Sequence, residues 1–393
     1  MPLLARVVAS FFCAKRKKSK FPFVIHSFCA IFAEIFGRME HMKQFLSDAV
    51  ELLKALIETP SVSRNEENAA NLLASYLDKW QLPYGREANN LWVGCPDWQN
   101  DRPTIMLNAH IDTVKPVSTW TRDPYKASQE GDILYGLGSN DCGGGLVSLL
   151  QTYRIMLNRP RNYNILWVAS AEEEVSGSNG FSRVLSRLPN IDVAIVGEPT
   201  GMQPAIAEKG LMVIDGYADG VSGHAARNEG VNAIYEALDD LVWLRDYRFR
   251  KVSPLLGETK MTVTVVEAGT QHNVIPDSLH FVIDIRTNEY YQNEFVFEFL
   301  RKKMKKCRLE ARSFRLHSSS ITESHPLIKK CKAMGMRPFG SPTLSDQALM
   351  PFTSVKLGPG KSSRSHSANE YIRISEIGNA IETYVNLLSD ISL

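Results

Sequence analysis

Apolar residues recur at helical spacing from Lys43 to Ile57, and Thr59-Pro60-Ser61-Val62-Ser63 ends that run. A second helix is expected from Glu66 to Trp80. Leu91–Gly94 and Thr104–Asp112 read as strands, Leu146–Met156 as a helix, and Ile165–Ala169 as a strand. A helix around Phe181–Leu185 and a strand at Val193–Val196 complete this part. Short apolar strands alternating with helices predict an α/β fold with a mostly parallel sheet covered on both faces. From about Glu208 to Leu316 the pattern changes. Strand Leu211–Ala218, helix Val231–Leu244, strands Met261–Val266 and Leu279–Ile285, helix Glu294–Met304 and strand Arg308–Phe314 come in succession. That βαββαβ order predicts a small inserted α+β sandwich. From His317 the chain is expected to rejoin the first domain, and Glu376–Leu388 closes it as a helix. The expected layout is residues 42–207 and 317–393 as one domain, interrupted by an insertion at 208–316.

With 393 residues, 44% of them hydrophobic, the chain can build one large core or two. Its net charge of +2 conceals an uneven distribution. Residues 1–41 hold seven Lys/Arg against two Asp/Glu, which leaves 38 basic and 41 acidic residues, net −3, in 42–393. A mildly acidic body without a sustained basic stripe argues against a nucleic-acid partner. Six cysteines without paired spacing or a CxxC suit a reducing, cytoplasmic setting and exclude a thiolate zinc finger. The first 41 residues, Lys15–Lys20 followed by the mostly apolar Phe21–Gly37, read as a leader preceding a start at Met42. A membrane anchor or export signal is the alternative for them.

The candidate chemistry centres on Tyr135-Gly136-Leu137-Gly138-Ser139-Asn140-Asp141-Cys142-Gly143-Gly144-Gly145. It sets one acid in a glycine-punctuated bend before an apolar helix start. Asp141 there is either an ordinary helix cap or part of a site. Its company decides between them. His110, the run Glu172-Glu173-Glu174 and Glu198 each come just after an apolar strand, where open α/β sheets bind ligands, and His366 comes late in the chain. Carboxylates with imidazoles suit zinc, cobalt or manganese. His110, Asp141, Glu174, Glu198 and His366 are enough for two divalent ions if Asp141 bridges. Asp112, two residues past His110, would face the same way and hold the far ring nitrogen of that histidine.

Ala109–Val114, Gly138–Gly144, Glu172–Val175, Gly197–Thr200, Gly223-His224-Ala225 and His366 resemble, in order and approximate spacing, the metallopeptidase M20 family of amidohydrolases. The resemblance spans about residues 43–390. It implies a zinc-peptidase-like catalytic domain whose insertion is a lid that dimerises, hence a homodimer. It implies Glu173 as the general base and Glu174 as ligand; the register shifted by one, Glu172 as base and Glu173 as ligand, stays open. By the same resemblance His224 reaches the partner subunit's site to stabilise the oxyanion, and Asn273 and Arg286 grip the substrate carboxylate. Lys209 and Asp346 would line the site, and the Asp141–Cys142 peptide would be cis. Cys142, unusual at its position, is a buried packing thiol or a further ligand. Leu344–Met350, Lys356–Gly360 and Arg364–His366 are most similar to acetylornithine deacetylase-like members. The implied function is removal of an acetyl or succinyl group from an N-acylornithine in arginine biosynthesis. The alternatives are a dipeptidase, another N-acyl amino-acid deacylase acting on succinyl-diaminopimelate or acetylcitrulline, or a relative that binds metal without catalysis.

Overall fold

The computed structural model describes residues 42–393. The leader reading of residues 1–41 lies outside them. The chain divides into two compact units, Met1–Asp48 and Ala49–Leu393. Of the first, the described residues are the helical 42–48.

The second unit opens with the remainder of α1 (residues 42–57), then α2 (Glu67–Lys79), β1 (Gly85–Glu87), β2 (Asn90–Gly94) and β3 (Thr104–His110). In α2 the buried residues are Ala69, Ala70, Leu73, Ala74 and Leu77, one stripe at helical spacing. After β4 (Ser128–Glu130) and β5 (Ile133–Tyr135), a kinked turn at Ser139–Gly143 leads into α3 (Gly144–Leu157). Next come β6 (Asn164–Ser170), the single turn α4 (Phe181–Val184), β7 (Val193–Val196) and β8 (Ala205–Glu208). Helix α3 is buried almost all round, which suits a segment as apolar as Leu146–Leu150.

The insertion comprises β9 (Met212–Asp219), α5 (Ala233–Asp246), β10 (Lys260–Ala268), β11 (Ser278–Arg286), α6 (Asn293–Lys303) and β12 (Arg308–Ala311). Its strands form their own antiparallel sheet in the order β10-β11-β9-β12. Burial alternates along β9, so Met212, Ile214 and Ala218 face a separate core with Ala237, Leu244, Phe281, Val296 and Leu300. Asn232 caps α5 by accepting the Ile234 N–H at 2.9 Å. The chain then adds β13 (Ser319–Ser320), α7 (Pro326–Ala333), β14 (Phe339–Ser341), β15 (Thr353–Lys356), β16 (Tyr371–Arg373) and α8 (Ile374–Leu388). Helix α3 packs against β3 and β6 and also against α8, closing the layer.

The large sheet runs β1-β2-β6-β3-β7-β15-β8-β13, with β14 beside β8. It is mixed. The β6/β3, β3/β7 and β7/β15 pairs are parallel, while β1/β2, β2/β6, β15/β8 and β13/β8 are antiparallel. The parallel centre matters most for the site, because it brings the carboxyl ends of β3, β6, β7 and β15 together. Several elements have no counterpart in the apolar pattern: helix α7, and strands β1, β8, β13 to β15 and those of the three-stranded sheet β16-β5-β4. These strands are two to four residues long, and Thr353-Ser354-Val355-Lys356 has too few apolar positions to show a period. Among the described residues no helix is long and apolar enough to cross a membrane. Cys95, Cys142, Cys307 and Cys331 are buried free thiols.

Candidate active site

Strand β3 delivers His110, whose side chain is 1% exposed. Its Nδ1 lies 2.9 Å from the Asp112 carbonyl oxygen and 3.5 Å from Asp112 Oδ1, so backbone and carboxylate together orient the ring. Asp112 has a second task. Its carboxylate accepts the N–H of Glu173 at 3.0 Å, that of Glu174 at 3.2 Å and the Ser63 hydroxyl at 2.7 Å. The loop after β6 is thereby fastened to the end of β3.

That loop also separates the three glutamates. Glu172 turns away: Asn179 donates to it from its backbone N–H at 3.1 Å and from its side-chain amide at 3.0 Å. Glu174 turns inward, its carboxylate 2.9 Å from His366 Nε2. Glu173 lies among Glu198, His110 and Asp346, and burial together with the charge of Glu198 holds its carboxyl well above the usual range.

Asp141 sits in the turn between Gly138, at φ +74°, and α3, and the Asp141–Cys142 peptide is cis. Its Oδ1 is 3.2 Å from His110 Nε2 and its Oδ2 is 3.7 Å from His366 Nε2, so one carboxylate stands between the two imidazoles. Glu198, just past β7, is 3.6 Å from His110 Nε2. Burial and then the charge of Asp141 push its carboxyl up to about 8. The hydrogen bond to Glu174 raises His366 to about 9. Cys142 also enters the cluster: His110, Cys142 and Glu198 offer donor atoms within 4.8 Å of one another. Its Sγ lies 3.7 Å from the Gly197 carbonyl oxygen, and burial pushes the thiol up to about 12.

Behind these groups lies support that sequence reasoning missed. Glu370 is 2% exposed and accepts the N–H groups of Gly138 at 3.2 Å, Asn140 at 2.8 Å and Asp141 at 2.9 Å. Lys356 and Glu208 form a buried ion pair at 2.9 Å. Glu208 also accepts the Ser345 N–H at 3.1 Å and its hydroxyl at 2.7 Å. Asp346, next in the chain and one of the residues expected to line the site, bonds the Ser170 hydroxyl, and burial raises its carboxyl to about 6. Glu370 stands only four residues beyond His366, but nothing in sequence says that its partners are 230 residues upstream.

The remaining expected residues sit in or near the insertion. His224 is exposed, bridges Val274 and accepts the Ala226 N–H at 3.1 Å. Asn273 is exposed and its carbonyl accepts the Ala225 N–H at 3.0 Å. Arg286 pairs with Asp284 at 2.9 Å. Lys209 donates to the Glu258 carbonyl at 2.9 Å. Among the described residues none of these four hydrogen-bonds to the acid–imidazole cluster.

The buried pocket is crowded with carboxylates, burial and then their mutual repulsion push those of Glu173, Glu198 and Asp346 upward, and divalent cations would offset that crowding. Imidazole and carboxylate donors flanking one central carboxylate fit two such ions. The cluster is a candidate dinuclear metal site. Residues 106–390 match peptidase family M20/M25/M40.

The chain belongs to that family.

It is a metal-dependent amidohydrolase of the M20 type, with an α/β catalytic part built on a mixed sheet and an inserted lid region. A succinyl-diaminopimelate desuccinylase of Hahella chejuensis is 25% identical over 382 residues, covering 89% of this chain and 98% of that protein. An acetylornithine deacetylase of Klebsiella pneumoniae is 33% identical over 226 residues, 52% of this chain and 58% of that protein. In fold, the chain is similar to the crystal structure of aminopeptidase PepT from Bacillus cereus, with a TM-score of 0.70, 18% identity and coverage of 87% of this chain and 98% of that one.

Proposed function

We propose that this M20 amidohydrolase removes the acyl group from an N-acyl amino acid, with N-acetyl- or N-succinyl-ornithine as the first candidates. The observation that carries the reading is Asp141 standing between His110 and His366, with Glu174 on one imidazole and Glu198 near the other. His110, Asp141, Glu174, Glu198 and His366 would hold two divalent ions, zinc foremost, with cobalt or manganese also suited to the donors. Such ions, when bound, lower the pKa of water and polarise a carbonyl. Glu173 is the proton carrier: its carboxylate takes a proton from the attacking water and returns it to the departing amine nitrogen. The orientation of Glu172 toward Asn179 supports Glu173, not Glu172, in that role. Asp112 keeps His110 oriented and ties Glu173 and Glu174 to the strand end. Asp346 lines the rear wall of the site through Ser170.

For the amino-acid part, we assign the insertion, residues 208–316, as a lid that also joins two copies of the chain. Arg286 and Asn273 would take the substrate carboxylate, and Lys209 would line the lid side. His224 would donate to the acyl oxygen as charge develops there, in the partner's site. Exposed Tyr235, Leu238 and Val242 on one face of α5, beside the outer strand β10, support the lid as the joining surface.

The activities named for the two relatives above support an N-acyl amino acid over a peptide. The deciding experiment is a turnover screen of purified protein on N-acetylornithine, N-succinylornithine, N-acetylcitrulline, N-succinyl-diaminopimelate and several dipeptides, with and without chelator. Chelator-sensitive release of ornithine is expected. Cleavage of dipeptides alone would replace the deacylase reading with a dipeptidase.

A further inference from the structure

We propose that Asn140 is a positioning residue that clasps the His366 loop and thereby sets metal affinity at the His366 end of the centre. The inference rests on the two-metal reading above. Asn140 is fully buried, immediately before Asp141. Its Oδ1 accepts the Lys361 N–H at 2.9 Å. Its Nδ2 donates to the Lys361 carbonyl at 3.1 Å and to the Ser365 hydroxyl at 3.2 Å. A carboxamide carries two donors and an acceptor oxygen, so this one side chain engages both backbone polar groups of residue 361 and the residue next to His366.

The grip is reciprocal. Glu370, from beyond His366, accepts the backbone N–H groups of Gly138, Asn140 and Asp141. Each loop therefore holds the other, and Asp141 and His366 sit at the junction. Gly360 supplies the room. It has φ +79°, and a Cβ there would lie 2.2 Å from Asn140 Oδ1.

The two imidazoles depend on this clasp to different degrees. His110 is enclosed in the sheet and held by Asp112. The His366 side chain is 55% exposed, so packing does not confine it, and its backbone lies in the left-handed region at φ +57°. The position of its loop decides where its nitrogen goes. Loss of the clasp is therefore expected to act on the His366 end and spare the His110 end. Other ties keep the loop folded: Arg364 makes a two-pronged pair with Glu376 at 2.7 and 3.0 Å, and the Ser367 hydroxyl donates to the Arg364 carbonyl at 2.7 Å.

The test titrates metal-free protein with Co²⁺ and Zn²⁺ by calorimetry, with the cobalt absorption bands as a second readout. The parent, Asn140→Ala, Gly360→Ala and His366→Ala are compared. The parent is expected to take two ions per chain and His366→Ala to weaken one of them. Asn140→Ala should keep one ion at near-parent affinity and bind the other about 10- to 100-fold more weakly, the usual cost of losing an outer-shell partner. Gly360→Ala leaves Asn140 in place but blocks its seat, so it should reproduce that selective loss, and it carries the test if Asn140→Ala does not fold. A merely structural role would lower the melting temperature while leaving both affinities unchanged or weakening both alike, and either result overturns the proposal. A parent that binds fewer than two ions, or a His366→Ala variant that keeps both at parent affinity, refutes the two-metal reading itself, and the assignment of Asn140 falls with it.

Discussion

The closest backbone approach in the site gives a sharp prediction. Gly145 is the second residue of α3, and a Cβ added to it would lie 1.7 Å from the carbonyl oxygen of Gly197, beside Glu198. A carbon–oxygen contact needs roughly 3.3 Å, so Gly145→Ala would force helix and strand end apart by about 1.5 Å. Neither partner is a side chain that can rotate away. Overpacking of this kind costs about 1–3 kcal/mol and occasionally more. The backbone clash places Gly145→Ala at the upper end, against about 1 kcal/mol gained by replacing a helical glycine. A net loss of about 2 kcal/mol is expected. Gly144→Ala is the matched control, since its Cβ would meet Ile372 Cδ1, the end of a side chain, at 2.1 Å and its nearest backbone atom, the Ser139 carbonyl oxygen, only at 3.2 Å. That variant should stay within about 1 kcal/mol of the parent. At roughly 1–2 °C per kcal/mol for a chain this long, thermal denaturation of metal-free protein should show Gly145→Ala melting about 2–4 °C lower. Glu198 would shift away from Asp141 as well, so metal affinity should fall in Gly145→Ala and not in Gly144→Ala. Equal melting temperatures for the two variants would refute the argument from close approach.

Further predictions concern the proton carrier, the lid, the buried ion pair and acid stability. Glu173→Gln should keep its metal and lose turnover, whereas Glu174→Gln should bind one ion more weakly; metal analysis alongside initial rates checks the pair, and the reverse pattern would shift the register by one. Mixing Glu173→Gln with His224→Ala under subunit exchange should restore part of the activity if His224 serves the partner, and no recovery despite demonstrated exchange would exclude that. Lys356→Met should destabilise the fold by about 3–5 kcal/mol, because it leaves Glu208 buried without its cation, and adding Glu208→Gln should recover much of the loss in denaturant titrations. Asp215, hydrogen-bonded by Arg312 at 2.7 Å and by His280 at 2.8 Å, has its carboxyl lowered to about 2, chiefly by Arg312. Its folded-state pKa lies below the unfolded value, so its contribution is present above about pH 4 and fades as pH falls toward 2. Asp215→Asn should therefore melt lower than the parent at neutral pH and converge with it in acid; a gap independent of pH would sink that assignment.

Much of this protein was legible in one dimension, for a physical reason. Strands buried on both faces are mostly apolar, so β3, β6 and β7 stand out, and their parallel pairing sends His110, Glu174 and Glu198 to one edge. Glycine around Asp141 marks a bend that few other residues could make. The alternation in β9 and β11 likewise announces a second sheet with one buried face. What only the tertiary structure decided is how charges and amides meet across long separations. Three adjacent glutamates look alike in sequence, and they were given different directions by Asn179 donating to the Glu172 carboxylate and by the Glu173 and Glu174 N–H groups donating to Asp112. Lys356 in a four-residue strand, Glu370 beneath the Asp141 turn and Asn140 across the His366 loop carry no local signal. A buried polar group is specified by its partner and not by its neighbours in the chain, and here the partners lie up to about 230 residues away.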